Sequence, residues 1–310
     1  AGPWKEGDPC LEQYAYLYKY DEFNRQIAKK LPGAGWIHYV YDEADRLIFS
    51  QDSVQRFRNE WSFRIPDVYG RTVFTGTCTN SLDYTGQLTH VVSATLANAI
   101  NEFKGYYIDG IELANMRLLT VNYYDSYDFM GKNGIPDSTF HTHKYDRTQG
   151  YAGRYEGSYK GLNTGSLTTL LDESETPTFI PSVMYYDYRG RLAQAKYGQH
   201  LTKEYYCYTF GGQVKHKKVM HAKTHAPTLY DHYTYTYDHA GRLVKTEHKI
   251  THNSKTSDWI TLAEYTYDKL GRLETKDLHG NGMNPITYAY NVRSWTTGTA
   301  SNSFTEALYY

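Results

Sequence analysis

Long apolar runs, clustered cysteines and an excess of either charge are all missing from this 310-residue sequence. No apolar stretch approaches the roughly 20 residues that a membrane-spanning helix needs. Cys10, Cys78 and Cys207 lie far apart without the spacing of a metal site, and their odd number precludes complete internal pairing. The 33 basic and 34 acidic residues nearly cancel, so net charge gives no reason to expect nucleic-acid binding. Low mean hydropathy also argues against a large aliphatic core.

Signatures of common catalytic sites are absent as well. The sequence has no GxSxG elbow, no GK[S/T] phosphate loop, no GxGxxG before a helix and no HExxH. The glycine-punctuated segment 161–173 lacks a phosphate-loop lysine, and we predict a loop entering a strand. Repeated aspartates resemble the paired carboxylates of glycosidases, but each has a sufficient role in a turn. We therefore expect no catalytic residue, no cofactor and no enzymatic activity.

Thirteen histidines raise the question of a metal site. His141 and His143 would share one face if FHTHKY formed a strand, and His216, His221 and His225 are close in sequence. Neither group has a nearby cysteine or a recognised carboxylate spacing. We expect surface histidines on strands and no bound metal.

Tyrosine is the abundant residue, at 34 of 310 positions. In HYTYTYDHAGRLV, Tyr233, Tyr235 and Tyr237 share one face of a strand because side chains alternate faces. Asp238 then occupies the first position of a four-residue turn, where its carboxylate accepts backbone N–H bonds. Gly241 occupies the fourth position, where a positive φ is required. The segment therefore predicts a β-hairpin closed by a type I turn.

The same pattern recurs at intervals of about 21 to 30 residues, a range typical of repeat architectures. Asn and Asp replace glycine in two copies and tolerate left-handed backbone. The predicted turns lie at Asp21 and Asn24, Asp42 and Asp45, Asp67 and Gly70, Asp187 and Gly190, Thr209 and Gly212, Asp238 and Gly241, Asp268 and Gly271, and Asn291 and Ser294. The predicted tyrosine rows comprise Tyr18, Tyr20, Tyr39, Tyr41, Tyr233, Tyr235, Tyr237, Tyr265 and Tyr267.

The repeats predict one continuous all-β domain over residues 1–310, with clear copies at 14–76 and 183–300 and degenerate copies at 77–182. Within the degenerate part, VNYYDSYDFMG and HKYDRTQGY are weak echoes, and we favour a strand for VVSATLANAINEFKG. The basic stretch 211–225 is predicted to be a solvated return strand. We expect the tyrosine rows to pack against tyrosines of neighbouring hairpins. The alternative is an exposed surface that stacks on a glycan or a peptide.

The motif Tyr-x-Tyr-Asp-x-x-Gly-Arg-Leu occurs at 235–243 and 265–273 and resembles the repeat motif of the YD-repeat family. This family comprises the rearrangement-hotspot (RHS) proteins of bacteria, with relatives in insecticidal toxin complexes and animal teneurins. The resemblance covers residues 18–73 and 185–297, and variant wording such as VNYYDSYDF is similar to RHS proteins of gut Bacteroidetes.

The resemblance implies successive antiparallel hairpins in a spirally wound, curved sheet that forms all or part of a hollow shell. It implies a non-catalytic shell or carrier segment of a secreted or cell-surface protein. Flanking shell segments or a cargo domain, which in some members is a toxin, would be its partners, with no nucleic acid and no membrane-spanning segment. The alternative it implies is an adhesion module that binds a glycan or a protein.

Toxin-bearing members carry two Asp-Pro-x-Gly elements that help to cut the shell from its cargo. Here Asp-Pro occurs once, at Asp8–Pro9, without the following glycine. We therefore expect no self-cleavage. The opening AGPWKEGDPC lacks a methionine and an apolar segment and is expected to belong to a processed piece. We also expect the aromatic segment 304–310 to pair with another strand.

Overall fold

The computed structural model describes residues 7–84, 87–96, 103–131, 137–171, 177–198, 201–223 and 226–310. It divides into two compact units, unit 1 (Ala1–Thr142 with Lys160–Pro181) and unit 2 (His143–Tyr159 with Ser182–Tyr310). Both units consist mainly of antiparallel strands, so the all-β prediction is confirmed. In the described ranges no helix has the length and apolar character needed to cross a bilayer. The unit boundaries lie within 77–182, and the prediction of one continuous domain wound into a shell stays a prediction.

Unit 1 is an antiparallel ladder in which each strand pairs with the next in the order β1 to β6 and then β9. Strands β7 and β8 form a separate pair. Its elements are α1 (Pro9–Tyr14), β1 (Leu17–Tyr20), β2 (Gln26–Lys30), β3 (Trp36–Tyr41), β4 (Leu47–Gln51), α2 (Ser53–Phe57), β5 (Trp61–Pro66), β6 (Thr72–Cys78), β7 (Ser93–Leu96), β8 (Tyr106–Asp109), β9 (Arg117–Asp125), α3 (Asp137–Phe140), a 3₁₀ turn (His141–His143) and β10 (Tyr159–Thr169).

The core of unit 1 is both aliphatic and aromatic. Ile65, Val73, Phe74 and Val121 are completely buried. Val73 and Phe74 are successive residues of β6 and point to opposite faces, so both faces of the sheet are covered at this strand. An aromatic series continues from Phe74 through Tyr106, Tyr123 and Phe129, with ring centroids 4.3 to 5.6 Å apart. Such contacts add about 0.5–1.5 kcal/mol each beyond area burial.

Unit 2 is a second ladder, in which successive strands again pair antiparallel and the two-residue β17 lies beside β16. Its strands are β11 (Phe179–Tyr186, from Ser182 onward in this unit), β12 (Leu192–Tyr197), β13 (Thr202–Tyr208), β14 (Val214–Lys223), β15 (Ala226–Tyr237), β16 (Leu243–His252), β17 (Lys255–Thr256), β18 (Ile260–Tyr267), β19 (Leu273–Leu278), β20 (Asn284–Tyr290), β21 (Thr296–Ala300) and β22 (Thr305–Ala307).

Aliphatic burial decreases along unit 2. Val183 and Ala195 are fully buried near its start, whereas Ala263 is the one buried apolar residue in the described part after Val219. Half-buried tyrosines are the main partly buried side chains there. The expected pairing of segment 304–310 occurs within the chain, since β22 pairs with β21.

Three local predictions need correction or restriction. FHTHKY is not a strand, because Phe140 ends α3 and His141–His143 form a 3₁₀ turn that leaves His143 buried and His141 exposed. The compact turn lets Phe140 pack 5.1 Å from Phe129. The segment from Gly161 is already within β10, and its last two residues, 172–173, lie outside the described ranges. VVSATLANAINEFKG contains β7, but residues 97–102 lie outside those ranges.

Candidate functional site

The turn at Asp238 shows what each letter of the repeat contributes. Asp238 Oδ1 accepts the backbone N–H groups of Ala240 and Arg242, each at 2.9 Å. Its Oδ2 accepts Arg242 Nε at 2.7 Å. The Gly241 N–H donates to the Asp238 carbonyl at 3.0 Å, with Gly241 at a φ of +79°. The aspartate therefore satisfies the turn backbone and fixes the arginine at once.

The same backbone geometry is present in all eight turns. Each first residue accepts the N–H of the fourth residue, and each hairpin slips its register by one residue beside the turn, as in a G1 bulge. The fourth residues all have positive φ, namely Asn24, Asp45, Gly70, Gly190, Gly212, Gly241, Gly271 and Ser294.

The tyrosine before the aspartate holds the preceding hairpin. Tyr267 donates its hydroxyl to the carbonyl of Leu243, at 2.8 Å, across the gap to the previous turn. The guanidinium carbon of Arg242 lies 4.6 Å from the centre of the Tyr267 ring. Arg242 is itself held by Asp238, so one ion pair positions the cation over the next hairpin's ring. We call this unit of aspartate, arginine and following tyrosine the turn clamp.

The turn clamp recurs along both units. The hydroxyl bond joins Tyr41 to Gln26, Tyr124 to Thr72, Tyr208 to Leu192, Tyr237 to Val214, Tyr290 to Leu273 and Tyr310 to Thr296. The arginine lies over the ring in the pairs Arg25–Tyr41, Arg71–Tyr124, Arg191–Tyr208 and Arg272–Tyr290. Tyr124, in the degenerate VNYYDSYDFMG, was not among the predicted rows, although its Tyr-Asp dipeptide was the available signal.

Arginine also reaches the next turn, and three hairpins depart from the full pattern. Arg272 Nη1 donates to the Asn291 carbonyl at 3.1 Å. Arg71 Nη1 and Nη2 donate to the two carboxylate oxygens of Asp125, at 2.8 and 2.6 Å. Pro66 replaces the tyrosine of one hairpin. Gln213 replaces the arginine of another, and Trp295 replaces it in the last.

Electrostatics hold the clamp groups in one protonation state. The backbone N–H of Arg242, together with its guanidinium, lowers the pKa of Asp238. Burial raises the pKa of Tyr237 and of Tyr267. A carboxylate kept ionised and a phenol kept neutral are poorly suited to exchange protons near neutral pH. The clamp groups are thus matched to hydrogen bonding.

The predicted tyrosine rows are placed differently from one another. Tyr41, Tyr237 and Tyr267 act in clamps, while Tyr18 and Tyr20 are exposed on β1. The remaining row residues, Tyr39, Tyr233, Tyr235 and Tyr265, are half-buried.

The expected packing of Tyr233 on tyrosines is not seen directly across the strands. Its partners across the strands are Lys217 on β14 and His248 on β16. The rings of Tyr233 and His248 stack with centroids 4.7 Å apart. Basic residues take the positions beside this tyrosine because the return strands of the repeats are rich in lysine and histidine, which pack well against an aromatic face.

A covering segment, residues 143–159 of unit 2, lies over β11 to β13. Asp146 is its anchor, receiving Lys203 Nζ at 2.6 Å and the Tyr205 hydroxyl at 3.1 Å. The buried Lys196 donates to the Lys144 carbonyl, and burial lowers its pKa to about 8. The degenerate echo HKYDRTQGY is therefore a loop that satisfies polar groups on the sheet, not a hairpin.

The predicted histidine group does not converge. His216 Nδ1 lies 2.6 Å from Thr234 Oγ1. His221 Nε2 lies 3.1 Å from Asp231 Oδ2, and His248 Nε2 lies 2.9 Å from Asp231 Oδ1. His216 and His221 are five residues apart on β14 and so face opposite sides. His225 lies outside the described residues, and within them no group of three His, Cys, Asp or Glu residues is arranged to hold a metal.

Two clefts in unit 1, of about 240 and 230 Å³, lie against turn clamps. Their aspartates and arginines already pair with each other. The larger cleft is lined by residues that include Asp67, Tyr69, Arg71, Tyr106, Tyr124 and Asp125. The smaller is lined by residues that include Asp21, Phe23, Arg25, Tyr39, Tyr41 and Gln87.

Comparison with known proteins found a likeness among solved structures. No family model matches the chain, and no curated protein matches it. Among solved structures, it is similar to TcdB2-TccC3 without the hypervariable C-terminal region and to TcdB2-TccC3-TEV. Each shares 12% identity over 93% of this chain, with a TM-score of 0.47. The chain spans 12% of the length of each of those chains.

Proposed function

We propose that this chain is a non-catalytic wall segment of a larger β-structure that encloses or displays a cargo. The turn clamp carries this proposal, because its aspartate, arginine and tyrosine all bond within the chain. These groups fasten each hairpin to the next and so extend a sheet. Joining hairpins in this way is what a wall requires, and in the described clamps these groups are engaged with one another.

The family resemblance supports the finer part of the proposal. YD-repeat wording implies a secreted or cell-surface protein whose hairpins continue into flanking wall segments. A glycan- or protein-binding module remains the alternative. It receives less support, since the clamp tyrosines direct their hydroxyls to backbone carbonyls of the chain.

Electron cryo-microscopy of the full-length protein tests the proposal. We expect the hairpins of this chain to lie in the wall of a hollow body, in register with flanking repeats. A reconstruction in which this chain stands as a separate module, with both sheet faces open to solvent, would overturn it. A second measurement is limited proteolysis, where an enclosed cargo resists cleavage until the wall is unfolded.

A further inference from the structure

The centres of the unit 2 turns carry large apolar side chains that are strongly exposed. Tyr188 is 67% exposed, Phe210 91%, Leu270 74% and Val292 99%. The two central positions of a turn ordinarily hold polar residues or glycine. Four of the five turns in this unit therefore place a large, strongly exposed apolar or aromatic group at a central turn position.

These tips are aligned along one end of the sheet. Successive hairpins pair antiparallel, so every one of these turns emerges at the same end of its strands. Two strand spacings separate adjacent turns, which places the tips about 10 Å apart. Arg189 confirms the contact between neighbours, since its Nη1 donates to the Phe210 carbonyl at 3.0 Å.

The same tips are positively charged. The central pairs of the five turns, which we call the basic rim, are 188–189, 210–211, 239–240, 269–270 and 292–293, and they contain Arg189, Lys269 and Arg293 but no acid. The turn aspartates do not offset this charge, because each is ion-paired to the arginine of its own turn. In two turns Thr209 and Asn291 replace the aspartate altogether.

Unit 1 supplies a contrasting set of tips. Its three central pairs, 22–23, 43–44 and 68–69, which we call the acidic rim, also expose apolar groups, with Phe23 at 63% and Tyr69 at 78%. Their charged residues, however, are Glu22 and Glu43. The two rims thus share apolar character and differ in the sign of their charge.

We propose that the basic rim docks on the surface of a lipid bilayer that contains anionic lipids. Protruding side chains about 10 Å apart suit a fluid interface, which accepts each of them without a preformed pocket. The apolar tips enter the boundary between headgroups and acyl chains, while Arg189, Lys269 and Arg293 meet the negative headgroups. This attachment is peripheral, without a membrane-spanning segment, and goes beyond the proposed wall function. The two proposals are tested by different experiments.

Vesicle co-sedimentation of the 310-residue chain tests the proposal. We expect the chain to pellet with phosphatidylcholine vesicles that contain phosphatidylserine, and not with pure phosphatidylcholine, with binding that weakens as salt is raised. The triple variant Arg189→Gln, Lys269→Gln, Arg293→Gln should reduce the partition coefficient on the order of 100-fold. The triple variant Phe210→Ser, Leu270→Ser, Val292→Ser should also lose binding. None of these six residues belongs to a turn clamp, and circular dichroism checks that both variants are folded.

The acidic rim provides the matched control. Phe23→Ser with Tyr69→Ser removes exposed apolar groups from the acidic rim and should leave vesicle binding unchanged. Equal loss in this variant, or equal pelleting with neutral and anionic vesicles, would overturn the proposal. Analytical ultracentrifugation without vesicles provides a further check. If the chain self-associates with increasing concentration, and variants of either rim abolish that association, the proposal is overturned. The basic rim would then bind a second copy of the chain.

Discussion

At the scale of the residue, the aspartate, arginine and tyrosine of the repeat each have defined hydrogen-bond partners. Where the sequence departs from the repeat, the hydrogen bonds of the turn backbone are preserved. Asn24, Asp45 and Ser294 replace glycine and still adopt positive φ. Asn291 replaces aspartate, and its Oδ1 still accepts the N–H groups of Arg293 and Trp295. What Asn291 gives up is the ion pair. The turn backbone therefore tolerates loss of charge better than loss of the acceptor.

Two glycines distinguish backbone strain from steric conflict. Gly190 and Gly241 have φ values of +71° and +79°. A Cβ at Gly190 would meet nothing within 4 Å, whereas one at Gly241 would lie 2.6 Å from Gln213 Nε2. Gly190→Ala should cost about 1 kcal/mol through strain alone, and Gly241→Ala about 2 kcal/mol. Denaturant unfolding measures both, and equal costs would mean that the side chain of Gln213 moves aside freely.

The turn carboxylates set a pH dependence with a definite sign. The folded pKa of Asp238 is lowered, first by the backbone N–H of Arg242 and then by its guanidinium. Its stabilisation is therefore fully present above the unfolded value of about 3.9 and is lost as pH falls through the lower folded pKa. We expect unfolding free energy to fall below about pH 4, less steeply in Asp238→Asn. If Asp238→Asn lost stability below pH 4 as steeply as the parent, the carboxylate of Asp238 would not be the source of this pH dependence.

At the scale of the element, the sequence predicted hairpins wherever the turn and the strand pattern agreed. Asp238 with Gly241 and Asp268 with Gly271 define local chemistry, so the strands on either side could be located from the sequence. The clamp could not be predicted from the sequence. It joins Tyr267 to Leu243, which belong to different hairpins, and no local sequence rule links these two residues. The short helix α2 was also missed, although Asp52 and Gln55 form a capping box at its start.

The clamp hydroxyl predicts a contrast between two tyrosines on neighbouring hairpins. Tyr267→Phe removes the bond to Leu243 and should cost about 1 kcal/mol, whereas the ring still lies under Arg242. Tyr235→Phe should be nearly neutral, because its hydroxyl has no hydrogen-bond partner among the described residues. Tyr235→Ala should cost about 2–4 kcal/mol through lost packing. Thermal or denaturant unfolding measures these differences in stability. Equal effects of Tyr267→Phe and Tyr235→Phe would show that the hydroxyl bond of Tyr267 does not contribute to stability.

The covering segment predicts a local response to loss of its anchor. Asp146→Ala removes the acceptor of Lys203 and Tyr205 and leaves Lys196 buried without a carboxylate. We expect a cost of about 1–2 kcal/mol, less than for a fully buried pair because Asp146 is partly exposed. Amide hydrogen exchange should accelerate at 144–155. Asp231→Ala, which breaks the bonds to His221 and His248, is the control and should leave that segment unchanged.

At the scale of the whole molecule, each unit has its own distribution of buried apolar surface. Unit 1 buries Ile65, Phe74 and Val121 completely, while the last strands of unit 2 rely on clamps and half-buried tyrosines. Clamps hold neighbours together, but they remove less apolar area from water. Resistance to local opening should therefore differ between strands that share the same pairing.

Hydrogen exchange by mass spectrometry measures this difference. We expect β5, β6 and β9 to exchange most slowly and β18 to β21 to exchange sooner, under the same conditions and with comparable backbone pairing. Uniform protection of both groups would show that the clamps alone supply the stability assigned here to the core.

The turn clamp also determines how such a chain can change its length. Each complete clamp places an arginine over the next hairpin and receives a tyrosine from it, so the complete joints between neighbours all have the same form. Excising the interval from Asp238 to Tyr267 would bring Tyr237 directly before Asp268 and recreate an ordinary Tyr-Asp junction. Recombination between repeats then adds or removes whole hairpins without requiring a new interface to evolve, and Pro66 and Gln213 mark the joints where that interchange is least free.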